Sequence, residues 1–418
     1  MLKGQSKYVK VMQNILKIPL RRYNLRLGTE LKKRSQITMK IIVAPDSFKG
    51  NMSAFEVCSI IEAGINRADK DAEVIKIPLA DGGEGTARAI TLAVGGRFVK
   101  TIVTDPLGRK ISAEFGLIDD DKVAIIDIAS ASGIELLKNE ELDPMKASSY
   151  GAGELITAAL DTGVKEIIIG IGGSAINDGG IGMISALGFE ILDKNGTPVG
   201  FGGEALAKIA QIDSKNADKR LKNVLIKVAC DVTNPLVGLN GASAVFGPQK
   251  GATVEMVKML DDGLANLGRV WKEAGLTNDV EQPGDGAAGG IGAALRICLG
   301  AYIESGAMLV MKYVGFFDHL LKADLIITGE GMTDSQTASG KLCAVVAREG
   351  RKASVPVALI SGALKGEKSN LLSIFDYAVS IACGQNGFDA MIRDSKQDLC
   401  LAAENLIRAI KIGKKVRV

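Results

Sequence analysis

The chain has 418 residues, 47% of them hydrophobic and only 10 of them proline, enough to bury a substantial core and, by the usual size of domains, to build two. Its formal net charge is +3, and no apolar run reaches the ~18 residues of a membrane-spanning helix, which excludes a membrane partner. One Trp and 4% aromatic residues leave no stacking surface for nucleic acid, and six dispersed cysteines without a C-x-x-C pair exclude a zinc knuckle or redox dithiol.

Those cysteines, Cys58, Cys230, Cys298, Cys343, Cys383 and Cys400, read as buried thiols of a reducing compartment, the cytoplasm. Residues 1–38 hold ten Lys or Arg and one acidic residue, Glu30, leaving 41 basic against 47 acidic residues in the body. This basic N-terminal extension is expected to lie outside the fold, because Met39-Lys-Ile-Ile-Val-Ala-Pro-Asp46 opens as a first strand and is a natural initiation point. From there short β-branched runs alternate with longer amphipathic segments, which predicts an α/β fold of parallel strands joined by crossover helices.

Lys40–Ala44 and Val74–Pro78 near the start, with Asp324–Thr328, Val355–Ser361 and Tyr377–Ala382 near the end, are expected in one doubly wound sheet. Arg97–Val103, Ala113–Leu117, Val123–Asp127, Glu166–Gly170 and Val224–Cys230 supply strands between them. The expected architecture is therefore a discontinuous Rossmann-like or flavodoxin-like parallel-sheet domain, 39–92 and 287–418, with a second α/β domain, 93–286, inserted in the middle.

In open α/β sheets ligands sit outside the carboxyl ends of the strands, and the unusual residues of this chain fall there. The first strand is followed by Asp46, Ser47 and Lys49, and the second by Asp81-Gly82-Gly83-Glu84. Glu166–Gly170 runs into Ile171-Gly-Gly-Ser174-Ala-Ile-Asn177-Asp178-Gly-Gly180, and Val224–Cys230 into Asp231 and Asn234. Pro283-Gly-Asp285-Gly286 continues into Ala-Ala-Gly-Gly290, and Asp324–Thr328 runs into Glu330, Asp334, Gln336 and Thr337. Glycines allow positive φ and close approach to exposed N–H groups, so a phosphate is the natural guest, and phosphate beside carboxylates points to nucleotide, metal and phosphoryl transfer. Neither a Gly-x-x-x-x-Gly-Lys-Ser/Thr loop nor a His-Arg-Asp loop is present, so the nucleotide pocket is of another kind.

Taken in order, Ala44-Pro-Asp-Ser-Phe-Lys-Gly50, Pro78 to Thr86, Thr104-Asp-Pro-Leu-Gly108, Gly170 to Gly180, Cys230 to Leu236, Phe246-Gly-Pro-Gln-Lys-Gly251 and Gly329 to Thr337 resemble the bacterial glycerate kinases, over nearly everything from Met39 onward. Ile176, where Thr is common, and Met332-Thr333, where a basic and an apolar residue are usual, depart from that pattern. The resemblance implies ATP-dependent phosphorylation of D-glycerate, usually to 2-phosphoglycerate, with Mg2+, in a Rossmann-like domain interrupted by a second one. Oligomeric state stays open, a homodimer included.

Phosphoryl transfer asks a protein for positioning and charge neutralisation. Magnesium takes hard oxygen ligands, for which Asp231 and Asp285 are the candidates, with Asp178 also in reach of that role. Lys49 is expected on the γ-phosphate, with Lys250 and Lys341 in reserve for that group or for the substrate carboxylate. Asp46, Ser47, Gly82, Gly83, Glu84, Gly172, Gly173, Ser174, Asn177, Asn234, Gly286, Glu330, Asp334, Gln336 and Thr337 are expected to bind substrate or nucleotide. The sole histidine, His319, sits on an amphipathic segment without a partner motif, so an aspartate must serve as base: Asp178, with Asp81 as the second choice. Each has a structural competitor, since Asp178 also suits the N-cap of a helix starting near Gly180, and glycine clusters also serve tight turns and close packing. A dehydrogenase would need Gly-x-Gly-x-x-Gly after the first strand and finds none; a non-catalytic anion-binding protein would lack the carboxylates that are present.

Overall fold

Two neighbouring residues of one strand face opposite layers, and this period of two explains how a chain so rich in Ile and Val builds three apolar layers. The computed structural model describes residues 38–80, 82–83, 85–334, 342–365, 368–382 and 388–416. The expectations for the basic extension, Asp81, Glu84, Gln336, Thr337, Lys341 and Cys383 fall outside the described residues.

In chain order the strands of the two main sheets are β1 (Lys40–Val43), β2 (Glu73–Lys76), β3 (Arg97–Thr104), β4 (Lys110–Ile118), β5 (Val123–Asp127), β6 (Glu166–Gly170), β7 (Leu225–Ala229), β8 (Tyr302–Glu304), β9 (Leu325–Thr328), β10 (Val357–Ser361) and β11 (Tyr377–Ser380). A five-stranded sheet has the order β11-β10-β9-β1-β2, parallel throughout. A six-stranded sheet runs β8-β7-β6-β5-β4-β3, parallel from β8 to β5 and antiparallel across the β5-β4-β3 meander. The first sheet thus draws its strands from both ends of the chain and the second from the middle, as the alternation of runs predicts. One strand escaped that prediction: β8 is three residues at the sheet edge, too short to show a period, and it carries the second sheet to Glu304, beyond residue 286.

The helices that matter for the site are α1 (Ala54–Ala68), α2 (Thr86–Ala93), α3 (Tyr150–Asp161), α4 (Ile181–Ala186), α5 (Val254–Glu273), α6 (Ile291–Leu299), α7 (Gly306–Tyr313), α8 (Leu342–Lys352) and α9 (Phe388–Gly413). None of the described helices is long and apolar enough to cross a membrane. Ile41 and Val43 pack with α1 and α9 through Ile61, Ile65, Leu399 and Ile407. Their neighbour Ile42 faces the other way, into a layer that holds α2, α7 and α8 and also receives Ile125 and Ile168 from the second sheet. The remaining face of that sheet, with Ile167 and Ile169, is covered by α3, α4, α5 and α6. Because the middle layer belongs to both sheets, it fixes their carboxyl ends relative to each other; each isoleucine fully buried there contributes roughly 1.5–3 kcal/mol.

Candidate functional site

The turn between β1 and α1 is held at three points. The Asp46 N–H donates to the Gly329 carbonyl at 2.8 Å, tying the turn to the end of β9. Phe48 is buried at 3% exposure and its backbone pairs with Met52, which leaves Lys49 at the tip of a tight bend. Ser53 then caps α1 in a capping box with Glu56, so the helix starts at once.

After β2 the chain reaches across to the second sheet. Gly82 has φ +83° and its backbone lies against Ala229 at the end of β7; a Cβ there would stand 2.8 Å from the Ala229 carbonyl oxygen. A Cβ on Gly172 would come within 2.6 Å of the Gly83 Cα. These glycines bring two backbones into contact where side chains cannot fit, which is the packing reading of a glycine cluster. The same contact places Gly82, Gly83, Gly172 and Gly173 on the wall of one cavity.

That cavity, about 900 Å³, lies where the carboxyl ends of both sheets converge. From the first sheet it takes Ser47, Lys49, Asn51 and Ser53, and from the second Ser174, Cys230, Asp231 and Lys250. A second cavity of about 450 Å³ shares Ser47, Lys49 and Asn51 with it and runs over the ends of β9, β10 and β11. Asp46 and Glu330 sit in that second space among Phe48, Met332, Leu342, Ile381 and Met391. Glu330 accepts from the Thr333 hydroxyl at 2.9 Å, and Asp334 follows Thr333 at the end of the described part of this loop.

Several expected site residues do other work. Asp178 is fully buried and does not line either cavity; its carboxylate accepts from Ser149 N and Oγ at 2.9 and 2.8 Å and from Gly180 N and Gly182 N at 2.9 and 3.3 Å. It braces the start of α4 and ties it to α3, although the N-cap residue of α4 is Gly180, while burial pushes its carboxyl above the ordinary value against those four donors. Asp285 is also fully buried, and Arg296 grips it with Nε and Nη2 at 2.8 and 2.7 Å, leaving no face for a metal. Gly286 packs on the Pro235 carbonyl, Asn234 donates to the Asn240 carbonyl, and the buried Asn177 donates to Ser243 Oγ. Gly289 lies where a Cβ would meet the Ile176 carbonyl oxygen at 2.2 Å and Gly290 against Gly179, so these two prop the loop after β6, while Ala287 and Ala288 between the glycines line the larger cavity. His319 is exposed on the short helix Phe316–Leu320, away from both cavities.

Asp231 is different, being exposed on the wall of the larger cavity. Its oxygens also accept from Ser305 Oγ at 2.7 Å and Ala307 N at 3.0 Å, which fixes its orientation at the N-terminus of α7. No three His, Cys, Asp or Glu gather into a metal cage among the described residues. One oriented carboxylate, completed by water and phosphate oxygens, is nevertheless the kind of donor set magnesium takes.

Sequence reasoning missed Asn51, Ser53 and Glu135 as wall residues. Glu135 lies in a one-turn helix without a motif around it, and nothing in the sequence marks it. Lys250 had a signal, its place in Phe246–Gly251, but its setting is unexpected. It is 1% exposed, donates to Ser174 Oγ at 3.1 Å and the Ile176 carbonyl at 2.6 Å, and burial lowers its amine to about 7.

Comparison with known proteins places this geometry. The family model described as the glycerate kinase family matches residues 41–411. A glycerate kinase of Haemophilus influenzae is 43% identical over 376 residues, 89% of this chain and 99% of that protein. A glycerate 2-kinase of Escherichia coli is 44% identical over 382 residues, 90% of this chain and 99% of its own. A crystal structure described as a candidate glycerate kinase 2 from Salmonella typhimurium LT2 superposes with a TM-score of 0.81 at 43% identity, covering 91% of this chain and all of that one.

Proposed function

We propose that this chain, which belongs to the glycerate kinase family and is a kinase, uses ATP and Mg2+ to phosphorylate D-glycerate at the 2-hydroxyl, yielding 2-phosphoglycerate and ADP. The observation that carries the reading is the pair of cavities joined through Ser47, Lys49 and Asn51. The smaller, largely apolar one suits a nucleoside. The phosphates then pass over Lys49 into the larger one, where the acceptor waits on the opposite wall.

In this reading Lys49 neutralises charge on the γ-phosphoryl group, and the glycine turns Gly82–Gly83 and Gly172–Gly173, free of side chains, line its path. Asp231 would hold magnesium, which would supply positive charge to offset that of the phosphates. The 2-hydroxyl oxygen forms a bond to the γ-phosphorus as the bond to the bridging oxygen of ADP breaks, and the hydroxyl proton passes to a carboxylate of the wall or to water. Such a loose transition state needs little push from a base, so Asp178 serves by holding the glycine loop. The two sheets are the two domains of this proposal, and the regiochemistry follows the name of the Escherichia coli relative.

The test is a coupled assay of the full chain with ATP, Mg2+ and D-glycerate, the product resolved by phosphorus NMR. 2-Phosphoglycerate is expected; 3-phosphoglycerate corrects the hydroxyl, and no phosphoglycerate from folded protein overturns the reading.

A further inference from the structure

Lys250 is a charged side chain nearly removed from water, yet part of the cavity wall. Both of its printed partners, Ser174 Oγ and the Ile176 carbonyl, are neutral acceptors, and no carboxylate forms an ion pair with it among the described residues. The charged group that bears on it is Asp178, whose oxygens are spent on Ser149, Gly180 and Gly182. Lys49, Glu135 and Asp231 face the same cavity from other elements. A buried ammonium without a counter-ion is costly, so the group either gives up its proton or awaits an anion.

Resting on the kinase reading above, we infer that Lys250 receives the carboxylate of glycerate and takes up a proton as that anion binds. The nucleotide approaches along the first-sheet wall, through the residues common to both cavities. Lys250 stands on the other wall, beside Ser174, where the acceptor has to lie if its hydroxyl is to face the γ-phosphate. Burial lowers the amine to about 7. A carboxylate against Nζ supplies the missing counter-charge and returns the group toward the ordinary lysine value of about 10.4. The amine is thus mostly neutral at pH 8 before binding and charged after it, while glycerate is ionised throughout. Binding therefore consumes a proton at pH 8 and progressively less as pH falls below the lowered value.

The experiment is titration calorimetry of the full chain with D-glycerate at pH 8 in buffers of different ionisation enthalpy, alongside steady-state kinetics. Wild type should take up close to one proton per glycerate. Lys250→Met should lose that uptake and raise the KM for glycerate on the order of a hundredfold, with the KM for ATP within about threefold. Lys250→Arg, which keeps its charge at every pH, should bind glycerate without proton uptake, and it decides the matter if the Met variant does not fold. Turnover by wild type without proton uptake, or a Lys250→Met effect falling on ATP, overturns the inference and leaves the kinase intact. Wild type that neither binds nor phosphorylates glycerate overturns both.

Discussion

The two walls of the larger cavity are built on opposite plans. The first-sheet wall is a short turn pinned by Phe48 and the α1 cap, which directs the side chains of Ser47, Lys49, Asn51 and Ser53 toward the cavities. The second-sheet wall is a glycine loop braced from behind by Asp178, Asp285 with Arg296, and the packed glycines of 286–290. Glycine and aspartate occur in both, yet on the second wall most of them are consumed in holding the backbone still. A carboxylate next to glycines therefore marks a precise loop, and only exposure tells whether it also meets a ligand.

Substitutions on the two walls should separate accordingly. The largest effect is expected for Lys49→Met, which should lower kcat on the order of a thousandfold, the scale of losing a charge stabiliser in the transition state, with the urea midpoint unchanged. Asp285→Ala should instead cost about 3 kcal/mol of stability, because it strands the partly buried Arg296, while the Mg2+ dependence of the folded enzyme stays as in wild type. A shifted Mg2+ dependence at unchanged stability would return Asp285 to the metal. Asp178→Asn should cost about 2 kcal/mol, since the new NH2 must oppose a backbone N–H, and the folded fraction should keep turnover within about tenfold. Full stability with turnover abolished would make Asp178 the base and erase the difference between the walls.

Much of the fold was legible because β-branched runs repeat: ten of the eleven strands in the two main sheets coincide with apolar segments within a few residues, and β8 is too short to show a period. The origin of the two sheets, one from the chain's ends and one from its middle, could be read from the order of those runs alone. At the site, the turn 46–49 and the loop 172–174 were legible because strand ends carry ligands in such sheets. Asp178 and Asp285 were not separable from Asp231 in sequence, since all three are aspartates beside glycine or after a strand. What separates them is depth: Ser149 and Arg296 enclose the first two away from water, whereas Asp231, though it accepts from Ser305 and Ala307, stays exposed. The depth of Lys250 was equally invisible, because burial of a lysine is decided by how the loop after β6 meets it, through Ser174 and the Ile176 carbonyl, rather than by its neighbours in sequence.

Ser53 gives the smallest effect and the finest division, because it belongs to both plans: it lines the cavity and also caps α1. Its hydroxyl accepts from Glu56 N, and Glu56 accepts in return from the Ser53 N–H, the main reason its carboxyl lies below the ordinary value. Ser53→Ala should cost about 1 kcal/mol at pH 7, with KM for ATP and glycerate within about twofold. Because the folded-state value of Glu56 is depressed, its contribution is present above the unfolded carboxylate value of about 4.3 and fades as pH falls. The backbone N–H of residue 53 remains in the variant, so the gap in thermal midpoint between wild type and Ser53→Ala should narrow between pH 5 and pH 3 only by the share carried by the Ser53 hydroxyl's own bond to Glu56 Oε2 at 3.0 Å. A variant with an unchanged midpoint and a raised KM for ATP would move Ser53 from the scaffold to the ligand and extend the nucleotide wall by one turn of α1.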